Sequence, residues 1–175
     1  MRVSRVLLAA IALSVALEGS AAAQAMFTAS LGNVFGGDAP SKKTVWAVAI
    51  GGGGAHSIGS ELEYAEARNF FETPSGAGEG KVTTVMPSIY VAIPISRVRP
   101  YGIFGFGLIR ARREANSGAA FTNITDNDFG YNVGGGVMLM FAEHAGVRAD
   151  LRRFKVRASD GISFHRFTVG LVLGG

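Results

Sequence analysis

Read for its hydrophobic and polar positions, the chain alternates with a period of two in segment after segment beyond residue 25. The pattern is cleanest from Phe129 to Phe141. Phe129, Tyr131, Val133, Val137, Leu139 and Phe141 share one face with Gly135, and Gly130, Asn132, Gly134, Gly136, Met138 and Met140 share the other. Further along, Val147, Ala149 and Leu151 alternate with Arg148, Asp150 and Arg152, and Phe167, Val169, Leu171 and Leu173 oppose Arg166, Thr168 and Gly170. Upstream, Ile58, Leu62 and Tyr64 face away from Gly59, Glu61 and Glu63. Successive side chains of a strand point to opposite sides, so this period predicts strands with one apolar face.

Eight strands are predicted: Met26–Phe35, Thr44–Gly53, Ser57–Ala67, Val82–Ile93, Pro100–Arg112, Phe129–Phe141, His144–Val156 and Ile162–Leu173. Each is close to the ~9–11 residues that a tilted membrane strand needs. Glycine and β-branched residues are frequent inside them and form helices poorly. Two places blur the pattern. Ile103 to Leu108 is apolar on both faces, and Pro87, which donates nothing to a ladder, predicts a bulge.

The connections alternate in length. Gly54–His56, Pro94–Val98 and Ala142–Glu143 are short. Gly36–Lys43, Arg68–Lys81 and Arg113–Asp128 are long and polar, and Arg157–Gly161 is the shortest of that set. In an up-and-down barrel this puts the long loops at one end and the short turns with both termini at the other, the asymmetry of envelope barrels. The predicted fold is therefore all-β: an eight-stranded antiparallel up-and-down transmembrane β-barrel.

Composition adds an export signal. Arg2 and Arg5 precede an apolar run from Val6 to Leu17 broken only by Ser14, and Ala21-Ala22-Ala23 follows. This predicts a secretory signal peptide over residues 1–23 with Gln24 as the new N-terminus, the run being too short for a spanning helix. The barrel domain is then 24–175. Removing Arg2, Arg5 and Glu18 from 17 basic and 13 acidic residues leaves 15 and 12, a surplus too small to imply nucleic acid. The absence of cysteine excludes disulfides, thiolate metal sites and a cysteine-linked lipid anchor. Glycine, 25 of 175 residues, is at about twice average usage.

Arg99-Pro100-Tyr101-Gly102, Gly130-Tyr131-Asn132-Val133-Gly134-Gly135-Gly136, Gly146-Val147-Arg148-Ala149-Asp150-Leu151-Arg152 and Phe167-Thr168-Val169-Gly170-Leu171 give the chain a resemblance to the OmpA/OmpX-type outer-membrane β-barrel family. The likeness runs over the whole chain after the signal peptide. It implies a mostly non-enzymatic role in envelope structure, adhesion, surface protection or small pores, with the barrel-insertion machinery as a partner in biogenesis. Such barrels usually end on an aromatic residue that this machinery reads, whereas this chain ends on Gly175.

A bilayer supplies no hydrogen-bond partners, so only helices and closed barrels cross it. The apolar faces are then expected toward lipid. Glu61, Glu63, Arg148, Asp150 and Arg152 are expected in the interior as an ion-pair network. Trp46, Tyr64, Tyr101, Phe129, Phe141 and Phe154 are expected in interfacial girdles. A soluble periplasmic, lipocalin-like barrel with an apolar ligand inside is the alternative, and a narrow pore a third reading that eight strands disfavour. Catalysis is not expected. His56 and His144 fall at short turns, and His165 with Ser163 and Asp160 is the one cluster worth naming. Gly51–Gly54 lacks a following Lys-Ser/Thr, and Gly102, Gly105 and Gly107 lack dinucleotide spacing, so no cofactor is expected. Asn123-Ile124-Thr125 has the form of a glycosylation acceptor. Arg110, Arg112, Arg113, Arg152, Arg153, Lys155 and Arg157 gather toward the loop end, fitting anionic outer-membrane lipid and lipopolysaccharide rather than nucleic acid. A monomer is expected, with the loop Arg113–Asp128 as its contact surface.

Overall fold

Eight antiparallel strands follow one another around a closed cylinder in chain order, and the first pairs with the last. They are β1 (Met26–Phe35), β2 (Lys43–Gly52), β3 (Ile58–Arg68), β4 (Gly80–Ala92), β5 (Val98–Ser117), β6 (Ala120–Met140), β7 (Ala145–Val156) and β8 (Ser163–Gly174). The computed structural model describes residues 25–37, 39, 43–53, 57–68, 80–117, 120–157 and 162–174, with the backbone alone from 112 to 127. The proposed signal peptide and the C-terminal Gly175 lie outside the described residues, as do His56 and Asp160. No described helix is long and apolar enough to cross a membrane. The closed ladder leaves no edge along the wall, so every strand finds its backbone partners within the chain.

The expected alternation decides which side chains enter the lumen. In β7 the buried positions are Gly146, Arg148, Asp150, Arg152, Phe154 and Val156, and in β8 they are Phe164, Arg166, Thr168 and Val172. In β5, where the pattern was blurred, Tyr101, Ile103, Gly105, Gly107 and Ile109 turn inward while Phe104 and Phe106 turn out. Small inward residues make room for large ones. A side chain on Gly59 would collide with the Tyr90 ring, and one on Gly136 would meet the Tyr101 hydroxyl at 2.5 Å and Asp150 Cβ at 2.7 Å.

Three expectations need correction. Pro87 makes no bulge: β4 keeps one register against β5 on both sides of it, from Val85↔Leu108 to Ser88↔Gly105. Pairing lapses only over Met86 and Pro87, because the missing N–H faces β5, while Leu62↔Pro87 remains paired toward β3. Arg113–Asp128 is not a loop. β5 and β6 stay paired up to Ser117↔Ala120, so a two-stranded ribbon projects beyond the wall. A ribbon clear of the barrel has no core to face, so hydrophobic periodicity carried no sign of it. Tyr101 and Phe154 are not girdle residues but lumen residues, 6 % and 0 % exposed. Each lies an odd number of residues from an outward apolar neighbour (Phe104, Leu151), which fixes it on the inner face.

Candidate functional site

The lumen is built in three layers. Toward the turn end, Met26, Tyr90, Ala92, Tyr101, Ile103, Met138 and Val172 pack together. Toward the loop end a larger apolar cluster contains Val34, Val45, Ala65, Val82, Met86, Ile109, Phe154 and Phe164. Between them lies a charged layer made by β3, β7 and β8.

That layer holds three carboxylates and three guanidinium groups. Arg148 donates from Nη1 to Glu61 Oε2 at 2.6 Å and from Nε to Asp150 Oδ2 at 3.0 Å. Arg152 donates from Nε to Asp150 Oδ1 at 2.9 Å and from Nη2 to Glu61 Oε1 at 2.9 Å, and lies 3.4 Å from Glu63 Oε2. Arg166 Nη2 donates to Glu63 Oε1 at 2.5 Å. The Tyr101 hydroxyl accepts from Arg148 Nε at 2.6 Å and donates to Asp150 Oδ2 at 3.2 Å. Two guanidinium groups also lie over rings, Arg148 on Tyr101 at 4.8 Å and Arg166 on Phe154 at 4.7 Å. β3 lies on the opposite wall from β7, so the network ties residues far apart in sequence across the lumen.

Glu61, Glu63, Arg148, Asp150 and Arg152 thus come together, all buried. Two further members, Arg166 and Tyr101, belong with them. Arg166 was signalled by its place on the polar face of its strand, opposite Phe167. Tyr101 carried no such signal, since its hydroxyl acts only once β5 and β7 are neighbours of β6. Equal numbers of opposite charges in hydrogen-bonding contact keep the layer neutral and limit the cost of burying it. Among the described residues, Val34, Val45, Ala65, Ala67, Val82 and Phe164 line a void of about 10 Å³, room for a single water.

The outer wall is the inverse. Leu31 is 66 % exposed, Ile58 65 %, Phe106 60 % and Leu171 59 %, with Phe27, Ile50, Ile89, Val133, Leu151 and Val169 among many others. Toward the loop end this wall meets charge. Glu66 is clamped by Lys81 at 2.6 Å and Arg68 at 2.9 Å beside Trp46 and Tyr64, whose rings are 5.4 Å apart. Arg153 and Lys155 occupy successive outward positions of β7 just above Leu151, and the exposed Arg157 follows directly after the strand. Arg152 points inward and is no part of that row. Across the ladder, Arg153 lies beside Val133 on β6 and His165 on β8, and Lys155 beside Tyr131 and Ser163. Arg110 is exposed on the same end.

The histidines do not assemble a reaction centre among the described residues. His165 stacks on Phe35 at 5.8 Å, and His144 lies exposed at the turn end. Among the described residues no group of three histidines and carboxylates could hold a metal.

A family model for the outer membrane protein beta-barrel domain matches residues 5–174. No curated protein matches by sequence. Among solved structures, Neisserial surface protein A is similar with a TM-score of 0.68 at 14% identity, over 89% of this chain and 99% of that one. Ail of Yersinia pestis gives 0.59 at 15%, over 87% and 97%. The N-terminal β-barrel domain of Pseudomonas aeruginosa OprF gives 0.53 at 17%, over 85% and 97%. At these identities the likeness is one of fold.

Proposed function

This chain belongs to the outer-membrane β-barrel family, and from that premise we propose that it is a non-enzymatic wall protein of the outer membrane with a structural and surface-interaction role. One observation carries the reading: large apolar side chains cover the outside while charges fill the inside. In water such a wall would aggregate, since monomeric soluble proteins rarely expose apolar patches above a few hundred Å². In a bilayer it is the required surface. The same arrangement opposes a soluble barrel with an apolar ligand inside, which would need its apolar residues turned inward. It opposes a pore as well, because the ionic layer and two apolar layers fill the lumen.

The charged edge of the wall defines the lipid contacts. Arg153, Lys155 and Arg157 stand where the apolar face ends, in reach of phosphate-bearing headgroups. This supports lipopolysaccharide as the outer-leaflet partner, each such cation contributing about 1 kcal/mol near an anionic surface. Residues 1–23 act as a cleaved export signal, the barrel-insertion machinery places the chain, and it works as a monomer.

Cell fractionation combined with gel mobility tests the proposal. The protein is expected in the outer-membrane fraction, and the unboiled form is expected to migrate differently from the boiled one in detergent. Recovery as a soluble periplasmic protein, stable without detergent, would refute it.

A further inference from the structure

Thr84 and Arg166 come from opposite walls of the lumen, since β4 and β8 are four strands apart in a closed ring of eight. Thr84 is an inward residue of β4. Its ladder neighbours are Ala65 on β3 and Ile109 on β5, and neither offers a polar side chain. Arg166 is inward on β8, between Val34 on β1 and Arg152 on β7. Both are buried, at 4 % and 1 % exposure. Among the described residues, Thr84 Oγ1 and Arg166 Nε have no hydrogen-bond partner.

Neither side chain is placed to find one by turning. Arg166 is held at its far end, where Nη2 donates to Glu63 Oε1 and the guanidinium lies 4.7 Å over the Phe154 ring. Swinging Nε toward another acceptor would break both contacts. Thr84 is β-branched and has few χ1 choices on a strand. Buried polar atoms are costly to leave unpaired, and native proteins nearly always satisfy them with protein groups or ordered water.

The two residues line one void. Its volume is about 10 Å³, and the rest of its lining is apolar, Val34, Val45, Val82 and Phe164 among it. That volume holds about one water, and two polar partners meet the lower bound for a buried one. Arg166 Nε can only donate, whereas Thr84 Oγ1 can donate or accept. The complementary ligand must accept at one end and may do either at the other, which a water does. A halide would accept from both, but it is larger, and it would add charge to a layer already balanced at three carboxylates and three guanidinium groups.

We propose that this void is a binding site for a single structural water, which accepts from Arg166 Nε and exchanges a hydrogen bond with Thr84 Oγ1. Direct contacts confine the ionic layer to β3, β7 and β8, with Tyr101 reaching in from β5. The water carries that layer to β4 on the far wall. It also holds Arg166 at its inner nitrogen, so that Nη2 stays aimed at Glu63. The site lies in the lumen, so it stands whatever solvent surrounds the barrel.

The test uses the refolded, isotope-labelled protein in detergent micelles, with magnetisation transfer from water to the Arg166 Nε–H as the readout. A water held in the void is expected to give cross-peaks of opposite sign in laboratory-frame and rotating-frame experiments. Cross-peaks of the same sign, which report proton exchange with bulk solvent, or no cross-peak at all, overturn the proposal. Thr84→Val keeps the shape and removes the hydroxyl, while Thr84→Ser keeps the hydroxyl. The valine variant is expected to lose the cross-peak and to unfold at lower urea in lipid vesicles; the serine variant is expected to keep the cross-peak. A valine variant as stable as wild type, or more so, would mean that the hydroxyl had no partner to lose, and the proposal fails. Wild-type spectra in chloride and in acetate are expected to coincide. An Arg166 signal that moves with chloride overturns the water and assigns the site to an anion. Gel mobility checks that each variant is folded, and the wild-type spectra decide without any variant.

Discussion

Removing Arg148 probes the assignment of inside and outside more directly than any other single change. Its side chain is 2 % exposed and it bonds at once to Glu61, Asp150 and Tyr101. In Arg148→Ala the Glu61 carboxylate loses its 2.6 Å partner and keeps only Arg152 at 2.9 Å. Breaking a buried pair by removing one partner costs about 3–5 kcal/mol. Because Arg152 still holds both Glu61 and Asp150, the lower end of that range, about 3 kcal/mol, is expected here. Lys81→Ala provides the contrast. Lys81 is 42 % exposed, so losing its bond to Glu66 should cost about 0–1 kcal/mol. The assay is urea unfolding of the refolded barrel in lipid vesicles, followed by the fluorescence of the single tryptophan, Trp46, on the outer wall. A loss for Arg148→Ala no larger than for Lys81→Ala would mean that the charged face is solvated, and the assignment would fail.

Three further changes test the wall, the layer and the rim. Val169→Arg puts a cation on the apolar face of β8 and is expected to cost about 2–4 kcal/mol in the same vesicle unfolding assay if that position lies at mid-bilayer; a neutral result would place it outside the hydrocarbon. Gly136→Ala drives a methyl group against Tyr101 and Asp150, and overpacking of this kind should cost about 1–3 kcal/mol; if Gly136→Ala unfolds at the wild-type urea concentration, the contact is loose. Replacing Arg153, Lys155 and Arg157 with serine should weaken lipopolysaccharide binding by up to about a hundredfold at about 1 kcal/mol per cation. The salt dependence should flatten with it, and titration of the refolded variant against salt would expose an unchanged affinity.

Strand existence and the inner and outer faces could be read from the residues because a wall strand meets two different solvents. Phe129, Tyr131 and Val133 must face one and Gly130, Asn132 and Gly134 the other, so the period survives even where a single position is ambiguous. Where that contrast ends, so does the legibility. From Ile103 to Leu108 the inward positions are Ile103, Gly105 and Gly107, and glycines beside polar partners such as Ser88 and Asn132 carry no polar side chain of their own, so both faces read alike. Above Arg113 both faces of the ribbon leave the barrel, and the Asn, Ser and Gly near its tip look like loop over a much wider span than the two residues, 118 and 119, that separate the strands. Pro87 shows a different limit. A proline costs one donor, and whether the ladder must shift depends on which neighbour loses it, a fact of the barrel rather than of the strand.

The charged layer was legible in its members but not in its wiring, for a physical reason. Alternation assigns Arg148, Asp150 and Arg152 to one face of β7 and Glu61 and Glu63 to one face of β3, yet pairs across the lumen depend on strand order, tilt and side-chain reach together. Tyr101 illustrates the gap. Taken alone, an aromatic near a strand end suits an interfacial girdle; in the closed barrel its ring lies under Arg148 and its hydroxyl bridges Arg148 to Asp150. An inward tyrosine is tolerable only because the glycine at 136 leaves space for its hydroxyl. The abundance of glycine, which at first argued only against helices, therefore also has a packing cause: Tyr90 and Tyr101 find room on the inner face because the residue paired with each on the neighbouring strand, Gly59 or Gly136, has no side chain to oppose them.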